Sequence, residues 1–205
     1  LRDRILAIGT SVVKDPAGVS GLRRRMAELE IDLFGGENVE LIVGIARSLF
    51  SGGRSDLAEE ILTIKRGEDG SYPRWPNDAA AMILLAELFS KKKKNAEAVN
   101  CLTNNGGTLK FPDDLNAMRI LLKAYNNLGR YDDTVVAVDF MNTSGDFFRS
   151  KEILTLYLLA LYRQGLYDKI VAVCMDKRTP FFIVDSTILR DFANDCHRAG
   201  RHEQV

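Results

Sequence analysis

The sequence predicts an all-α fold: a right-handed α-solenoid of antiparallel helical hairpins, about five repeats long with a period of about 36 residues. Three observations carry that prediction. Trp75, Phe111, Phe147 and Phe182 recur at intervals of 36, 36 and 35 residues. Glycine breaks at Gly53-Arg54, Gly129-Arg130, Gly165-Leu166 and Gly200-Arg201 each separate two apolar stretches. Within those stretches the apolar residues fall on one face of a 3.6-residue helix. A single-core domain has no reason to keep such a ruler, whereas a stack of similar hairpins does.

Composition narrows the class further. The 205 residues are 46% hydrophobic, enough to bury a sizeable core. Lys and Arg number 28 and so do Asp and Glu. That balance disfavours a dedicated nucleic-acid binder, whose phosphate contacts usually leave a basic excess. No run approaches the roughly 18 apolar residues of a membrane span, so a soluble, intracellular protein is expected. Cys101, Cys174 and Cys196 are odd in number and each falls in an expected helix, which reads as buried thiols in a reducing compartment. The chain starts at Leu1 without Met and stops just after Gly200-Arg201-His202-Glu203 opens a new helix. A piece of a longer solenoid is therefore expected, with any targeting peptide out of sight.

Residues 1–37 are expected to form a leader or capping hairpin. Leu1, Ile5, Leu6 and Ile8 have helical spacing, Asp15-Pro16 starts a second helix over about 17–34, and Gly35-Gly36 ends it. Arg23, Arg24 and Arg25 lie on its solvated side. Residues 38–205 hold the repeats, the last one cut short. The first pairs VELIVGIARSLF with DLAEEILTIKR across Ser51-Gly52-Gly53-Arg54, followed by the loop RGEDGSYPRWP. The second pairs AAAMILLAELF, capped by Asp78, with NAEAVNCL. Its turn, filled by Lys91, Lys92, Lys93 and Lys94, is expected to be about two residues longer than its neighbours.

The third and fourth repeats, DLNAMRILLKAYNNLGRYDDTVVAVDFM and KEILTLYLLALYRQGLYDKIVAVCM, align 36 residues apart. Ala124 meets Ala160, Gly129 meets Gly165, Tyr131 meets Tyr167 and Val138 meets Cys174. The glycines should supply the bend, Gly165 with positive φ. TILRDFANDCHRAGR opens a fifth hairpin. Each recurring aromatic precedes a first helix, where wedging between hairpins would contribute about 2 kcal/mol.

Catalytic and cofactor signatures are missing. The paired glycines are helix stops rather than phosphate loops, and the acidic pairs Glu59-Glu60, Asp113-Asp114 and Asp132-Asp133 suit the positive ends of helices. Cys196, His197 and His202 have a metal-like spacing, but the turn at Gly200 divides them and no fourth ligand is evident. No enzyme, cofactor or metal is expected.

At LLKAYNNLGRYDDTVVAVDFM and LLALYRQGLYDKIVAVCM the chain resembles the tetratricopeptide and pentatricopeptide repeat families, both α-solenoids of helical hairpins. The resemblance covers about residues 38–205. Thr134 and Ile170 stand where the tetratricopeptide family prefers Ala, and the period of 36 exceeds its value of about 34. The pentatricopeptide resemblance implies single-stranded RNA read one base per repeat from the first helices, in a mitochondrion or other organelle. It implies that Thr155 with Asp185 reads a purine. Arg119 with Ser150, Ala81 with Asp114 and Val43 with Pro76 do not match the family's pairs. Lys91, Lys92, Lys93 and Lys94 would then touch the RNA backbone.

The leading expectation is a non-catalytic scaffold that binds protein partners within a multisubunit assembly, such as a ribonucleoprotein. Pentatricopeptide-type RNA binding is the alternative. A regulatory subunit that positions an enzyme is a third class.

Overall fold

The computed structural model describes residues 20, 21, 24, 38–65, 71–104, 107–141, 150–176 and 186–198. The leader hairpin expected over residues 1–37 falls almost wholly outside them, as do Phe147, Phe182, Asp185 and His202. Two units divide the chain, Leu1–Leu102 and Thr103–Val205.

The first unit holds α1 (Val39–Ser51), α2 (Ser55–Leu62), β1 (Thr63–Lys65), β2 (Ser71–Pro73), α3 (Ala79–Lys91) and α4 (Asn95–Leu102). The second holds α5 (Leu115–Asn127), α6 (Tyr131–Met141), α7 (Lys151–Arg163), α8 (Tyr167–Met175) and α9 (Ser186–Arg198). The protein is thus all-α in class, with one two-stranded ribbon among the described residues. In the first unit α1 packs on α2 and α3, and α3 on α4 and α2. In the second, α7 packs on α5, α6, α8 and α9. Every first helix (α1, α3, α5, α7 and α9) is 13 residues long.

The helix starts follow local chemistry. Asp78 Oδ1 accepts from the Ala81 amide and Asp114 Oδ1 from the Ala117 amide, both at 2.8 Å. Ser150 takes the same position before α7 and accepts from the Ile153 amide at 3.5 Å. Such N-caps contribute about 1 kcal/mol each. The Trp75 carbonyl accepts from the Asp78 amide, and the Phe111 carbonyl from the Asp114 amide. The aromatic ruler therefore marks the turn that delivers each capping aspartate. Trp75 and Phe111 are only half-buried, so neither is a fully enclosed wedge.

Four hairpin turns share one backbone form. Gly53, Gly129 and Gly165 have φ of 80°, 71° and 70°, and Lys93 takes the same place at 60°. The next amide in each case reaches back to the first helix: Arg54 to Leu49, Lys94 to Phe89, Arg130 to Tyr125 and Leu166 to Leu161, at 2.9–3.0 Å. The lysine turn is thus the same length as its neighbours, contrary to expectation, because Lys91 closes α3 rather than belonging to the turn. Extra length lies instead in the ribbon, which puts 40 residues between the starts of α1 and α3, against 36 between those of α5 and α7.

That ribbon also shortens α2, expected to reach Arg66. Thr63 ends the helix, its hydroxyl donating to the Glu59 carbonyl at 2.8 Å, and the extended backbone of Thr63–Lys65 pairs antiparallel with Ser71–Pro73. Arg74 secures the junction. Its Nε donates to the Ile61 carbonyl at 3.2 Å, its Nη2 to the Thr63 carbonyl at 3.1 Å, and its amide to the Leu62 carbonyl at 2.9 Å. A guanidinium has thereby taken over carbonyls that the end of a helix leaves without partners.

The cores are apolar and close-packed. Ile42, Ile45, Leu49, Ile61, Leu62, Met82, Leu85 and Leu88 are buried in the first unit. Met118, Leu122, Val138, Leu154, Tyr157, Leu158, Leu161, Ile170, Phe192 and Cys196 form one cluster in the second. Cys101 and Cys196 are buried thiols outside any disulfide, as expected; Cys174 is half-buried, and burial pushes its pKa up. The inner position of each second helix is Ala58, Ala98, Thr134 and Ile170, all fully buried. Thr134 keeps its hydroxyl there by donating to Asn126 Oδ1 at 3.0 Å, while Asn126 Nδ2 donates to the Leu156 carbonyl at 2.9 Å. One polar bridge thus links α5, α6 and α7.

Candidate functional site

The turns fix a register, and the register decides what each first helix can present. Ten residues before the positive-φ position stand Val43, Ile83, Arg119 and Thr155. The sequence placed Ala81 in that set; the structure puts Ile83 there instead. Val43 is 4% exposed and Ile83 8%, so neither side chain can reach a base from the first unit. Arg119 and Thr155 are half-buried. Arg119 Nη1 donates to Glu152 at 3.2 Å, and its Nε and Nη2 donate to Asn116 Oδ1. Its charge is spent on the link between α5 and α7. Asp114 and Ser150, the second members of two of the pairs that do not match, are helix caps.

The lysine cluster is similarly occupied. Lys92 Nζ donates to Asp56 Oδ1 at 2.5 Å and Glu59 Oε2 at 2.6 Å, both on α2. Burial works against the Lys92 charge, but its hydrogen bonds to the two carboxylates outweigh it and raise its pKa. The hydrogen bond from Lys92 holds Asp56 below its ordinary value. Lys94 Nζ lies 3.6 Å from Glu59 and 5.6 Å from the Phe89 ring centre, and Lys91 Nζ lies 4.4 Å from that of Phe50. Lys93 holds the left-handed turn position. Glu59, expected at a helix beginning, sits mid-helix, where it receives this charge. Lys91, Lys92 and Lys94 thus join the two hairpins of the first unit.

A counterpart stitch occurs in the second unit. Gln164, at the turn position of Lys92, donates from Nε2 to Asp132 Oδ1 at 2.5 Å. Asp132 is the register equivalent of Asp56. Tyr162 donates its hydroxyl to Asp195 on α9, a hydrogen bond that, with burial, pushes the phenol pKa up to about 12.

The second unit also carries a cleft of about 350 Å³. Leu109, Pro112, Leu121, Tyr125, Val136, Ala137 and Phe140 give it apolar walls; Gly107 and Thr108 form a rim, and Asp133 is its one charged lining residue. Backbone bonds hold that rim: Thr103 bridges to Leu109, the Asn104 amide donates to the Thr108 carbonyl at 2.8 Å, and Gly107 has φ of 78°. At the mouth, Val136 is 67% exposed and Phe140 74%. Their register equivalents are Asn100 and Asn104 in the second hairpin and Ala172 and Asp176 in the fourth. An exposed Phe one turn from an exposed Val, beside an apolar cleft, makes a contiguous apolar patch rather than scattered surface apolarity.

The acidic residues around α6 differ in how they are neutralised. Arg130 Nε donates to Asp133 Oδ2 at 2.7 Å, and its guanidinium lies 4.7 Å from the Tyr125 ring centre. Asp139 accepts from the Tyr157 hydroxyl at 2.7 Å and from Lys169 Nζ at 2.8 Å. Burial and that carboxylate together raise the Tyr157 pKa. A neighbouring open depression is lined by Lys110, Phe111, Pro112, Asp113 and Asp114.

The sequence reading missed the groove. Its signal was present in the alignment of the third and fourth repeats, where apolar Val136 and Phe140 face Ala172 and Asp176. Among the described residues no three His, Cys, Asp or Glu side chains group as metal ligands, and no helix is long and apolar enough to cross a membrane. A scan against protein-family models finds no match, and a search of curated proteins finds no relative.

Proposed function

We propose that the chain is a non-catalytic interaction scaffold, an α-solenoid segment of stacked hairpins that binds protein partners in a larger assembly. The apolar groove beside α6 carries this reading. Its exposed Val136 and Phe140 offer the large, poorly hydrated anchors that protein interfaces use, and its rim bears a carboxylate. A ribonucleoprotein remains a fitting home for such a subunit, since partner proteins rather than this chain would hold the RNA.

The competing reading, single-stranded RNA binding of the pentatricopeptide type, requires accessible polar side chains at successive first-helix positions. Burial of Val43 and Ile83 weighs against it, as does the commitment of Lys92 to Asp56 and Glu59. Two measurements decide between them. Affinity capture with cross-linking should yield a stoichiometric protein complex. Fluorescence anisotropy against a pool of short single-stranded RNAs should show no salt-sensitive binding at low or near-physiological salt. Micromolar RNA affinity that falls steeply with salt, without a protein partner, would overturn the scaffold reading.

A further inference from the structure

Resting on the scaffold reading, we infer that the tip of the second hairpin docks an acidic segment of a partner protein. The Lys93 ammonium is the central contact, with those of Lys91 and Lys94 beside it.

Lys93 breaks a local rule that its counterparts keep. The same turn position is Gly53, Gly129 and Gly165 in the other hairpins, all at positive φ. Lys93, with φ of 60°, is the one non-glycine residue in that region among the described residues. A side chain there costs stability. No carboxylate among the described residues pairs with Lys93, whereas Lys92 has Asp56 and Glu59, and Lys94 has Glu59. The residue is exposed. Strain held at an exposed residue with no intramolecular ion pair points to a contact outside the fold.

Charge selects the partner. Lys91 Nζ lies 4.4 Å from the Phe50 ring centre, on a π face rather than a carboxylate. Lys94 Nζ is 3.6 Å from Glu59, which already accepts from Lys92 at 2.6 Å. The exposed lysines 91, 93 and 94 therefore share a single carboxylate that is engaged elsewhere, and the tip keeps positive charge. Asp and Glu side chains of a partner would complete the balance.

The distribution of that charge favours a short acidic segment over a nucleic-acid strand, whose phosphates ask for cations repeated along its length. At the positions of Lys91 to Lys94 the other turns carry Ser51-Gly52-Gly53-Arg54, Asn127-Leu128-Gly129-Arg130 and Arg163-Gln164-Gly165-Leu166. Arg130 is folded onto Asp133 at 2.7 Å. The lysines are confined to one turn, which fits a contact with a few carboxylates.

The test uses three fluorescein-labelled probes: an Asp/Glu-rich peptide of about twelve residues, its Asn/Gln counterpart, and an oligouridine of about twelve nucleotides. Anisotropy at low salt should show saturable binding of the acidic peptide, with a Kd on the order of 100 μM that weakens at about 0.15 M salt. The amide peptide should not saturate. Lys93→Asn removes the charge but keeps a residue that tolerates the left-handed region. It should weaken the acidic peptide about three-fold or more without lowering the melting temperature, while Lys93→Arg should bind like the parent. Lys91→Gln/Lys93→Asn should weaken it about ten-fold. Lys123→Asn, at an exposed lysine of α5, should leave affinity unchanged.

No saturation by the acidic peptide overturns the inference, and so does an unchanged affinity of Lys93→Asn. An equal loss from Lys123→Asn would also overturn it, by assigning the binding to the general field of the protein. Tighter binding of the oligouridine with the same dependence on Lys93 would give the tip to nucleic acid instead. A native complex captured intact with Lys91→Gln/Lys93→Asn sinks this contact alone and leaves the scaffold reading standing.

Discussion

The second hairpin (α3 and α4) and the third (α5 and α6) bend through the same three-residue turn, yet solve four positions differently. At the left-handed turn position one has Lys93 and the other Gly129. At the inner position of the second helix one has Ala98 and the other Thr134. On the outer face one has Asn100 and Asn104, the other Val136 and Phe140. The backbone form tolerates strain, a buried hydroxyl or an exposed Phe, provided the turn and inner packing are kept. Hairpin geometry therefore says little about ligand, and the outer positions, where packing asks least, are where a binding surface can be read.

The largest effect should come from the turn itself. Gly129→Pro and Gly165→Pro each demand φ near −65° where the chain needs about +70°, and each removes an amide that donates to Asn126 or Tyr162. Either should cost about 3 kcal/mol or more, read by chemical denaturation. A melt unchanged from the parent would refute the hairpin register drawn here.

Next in size is the polar bridge that the second hairpin lacks. Thr134→Ala should cost about 1–2 kcal/mol, because Asn126 Oδ1 loses its donor against a buried helix. Asn126→Ala/Thr134→Ala should cost less than the sum of the single changes, since the two side chains act as one unit. Additive losses would show that the bridge does not couple α5, α6 and α7.

Lys93→Gly reverses the sign. A non-glycine residue in the left-handed region costs about 1–2 kcal/mol, and the entropy of an added glycine returns part of that. A net gain of about 0.5–1 kcal/mol is expected, while Gly129→Lys should lose a similar amount. No gain from Lys93→Gly would mean that the lysine side chain supports the turn in a way its backbone does not reveal.

Much of this fold was legible in the sequence because turns and caps are local. Gly53, Gly129 and Gly165 announced the bends, Asp78 announced a helix start, and the apolar spacing announced every helix. Longer-range chemistry was less readable. Lys91 to Lys94 looked like a solvated or phosphate-binding run, since their partners Asp56 and Glu59 lie more than 30 residues away. The end of α2 at Thr63 depends on Arg74, 11 residues downstream. Thr134 looked like a departure from a small-residue rule until Asn126 supplied its acceptor. The groove required aligning the repeats position by position and asking where an apolar residue had replaced a polar one.

The smallest effect separates a charged stitch from a neutral one. Lys92 joins α2 through Asp56 and Glu59, while Gln164 joins α6 through Asp132 by a neutral amide. The hydrogen bond and charge of Lys92 hold the Asp56 carboxyl below its ordinary value. A carboxylate with a lowered folded-state pKa contributes stability that is complete above its unfolded value, about 3.9, and is lost as pH falls through the folded one. Lys92→Gln should therefore lower the melting temperature by about 1–2 °C near neutral pH, an effect that high salt diminishes. The gap between variant and parent should close as pH drops below about 4. Gln164→Ala should show no such closure, because its amide donates without carrying charge. If the Lys92→Gln deficit persisted undiminished to pH 2, the aliphatic stem of Lys92, not its ion pairs, would be what joins the two hairpins.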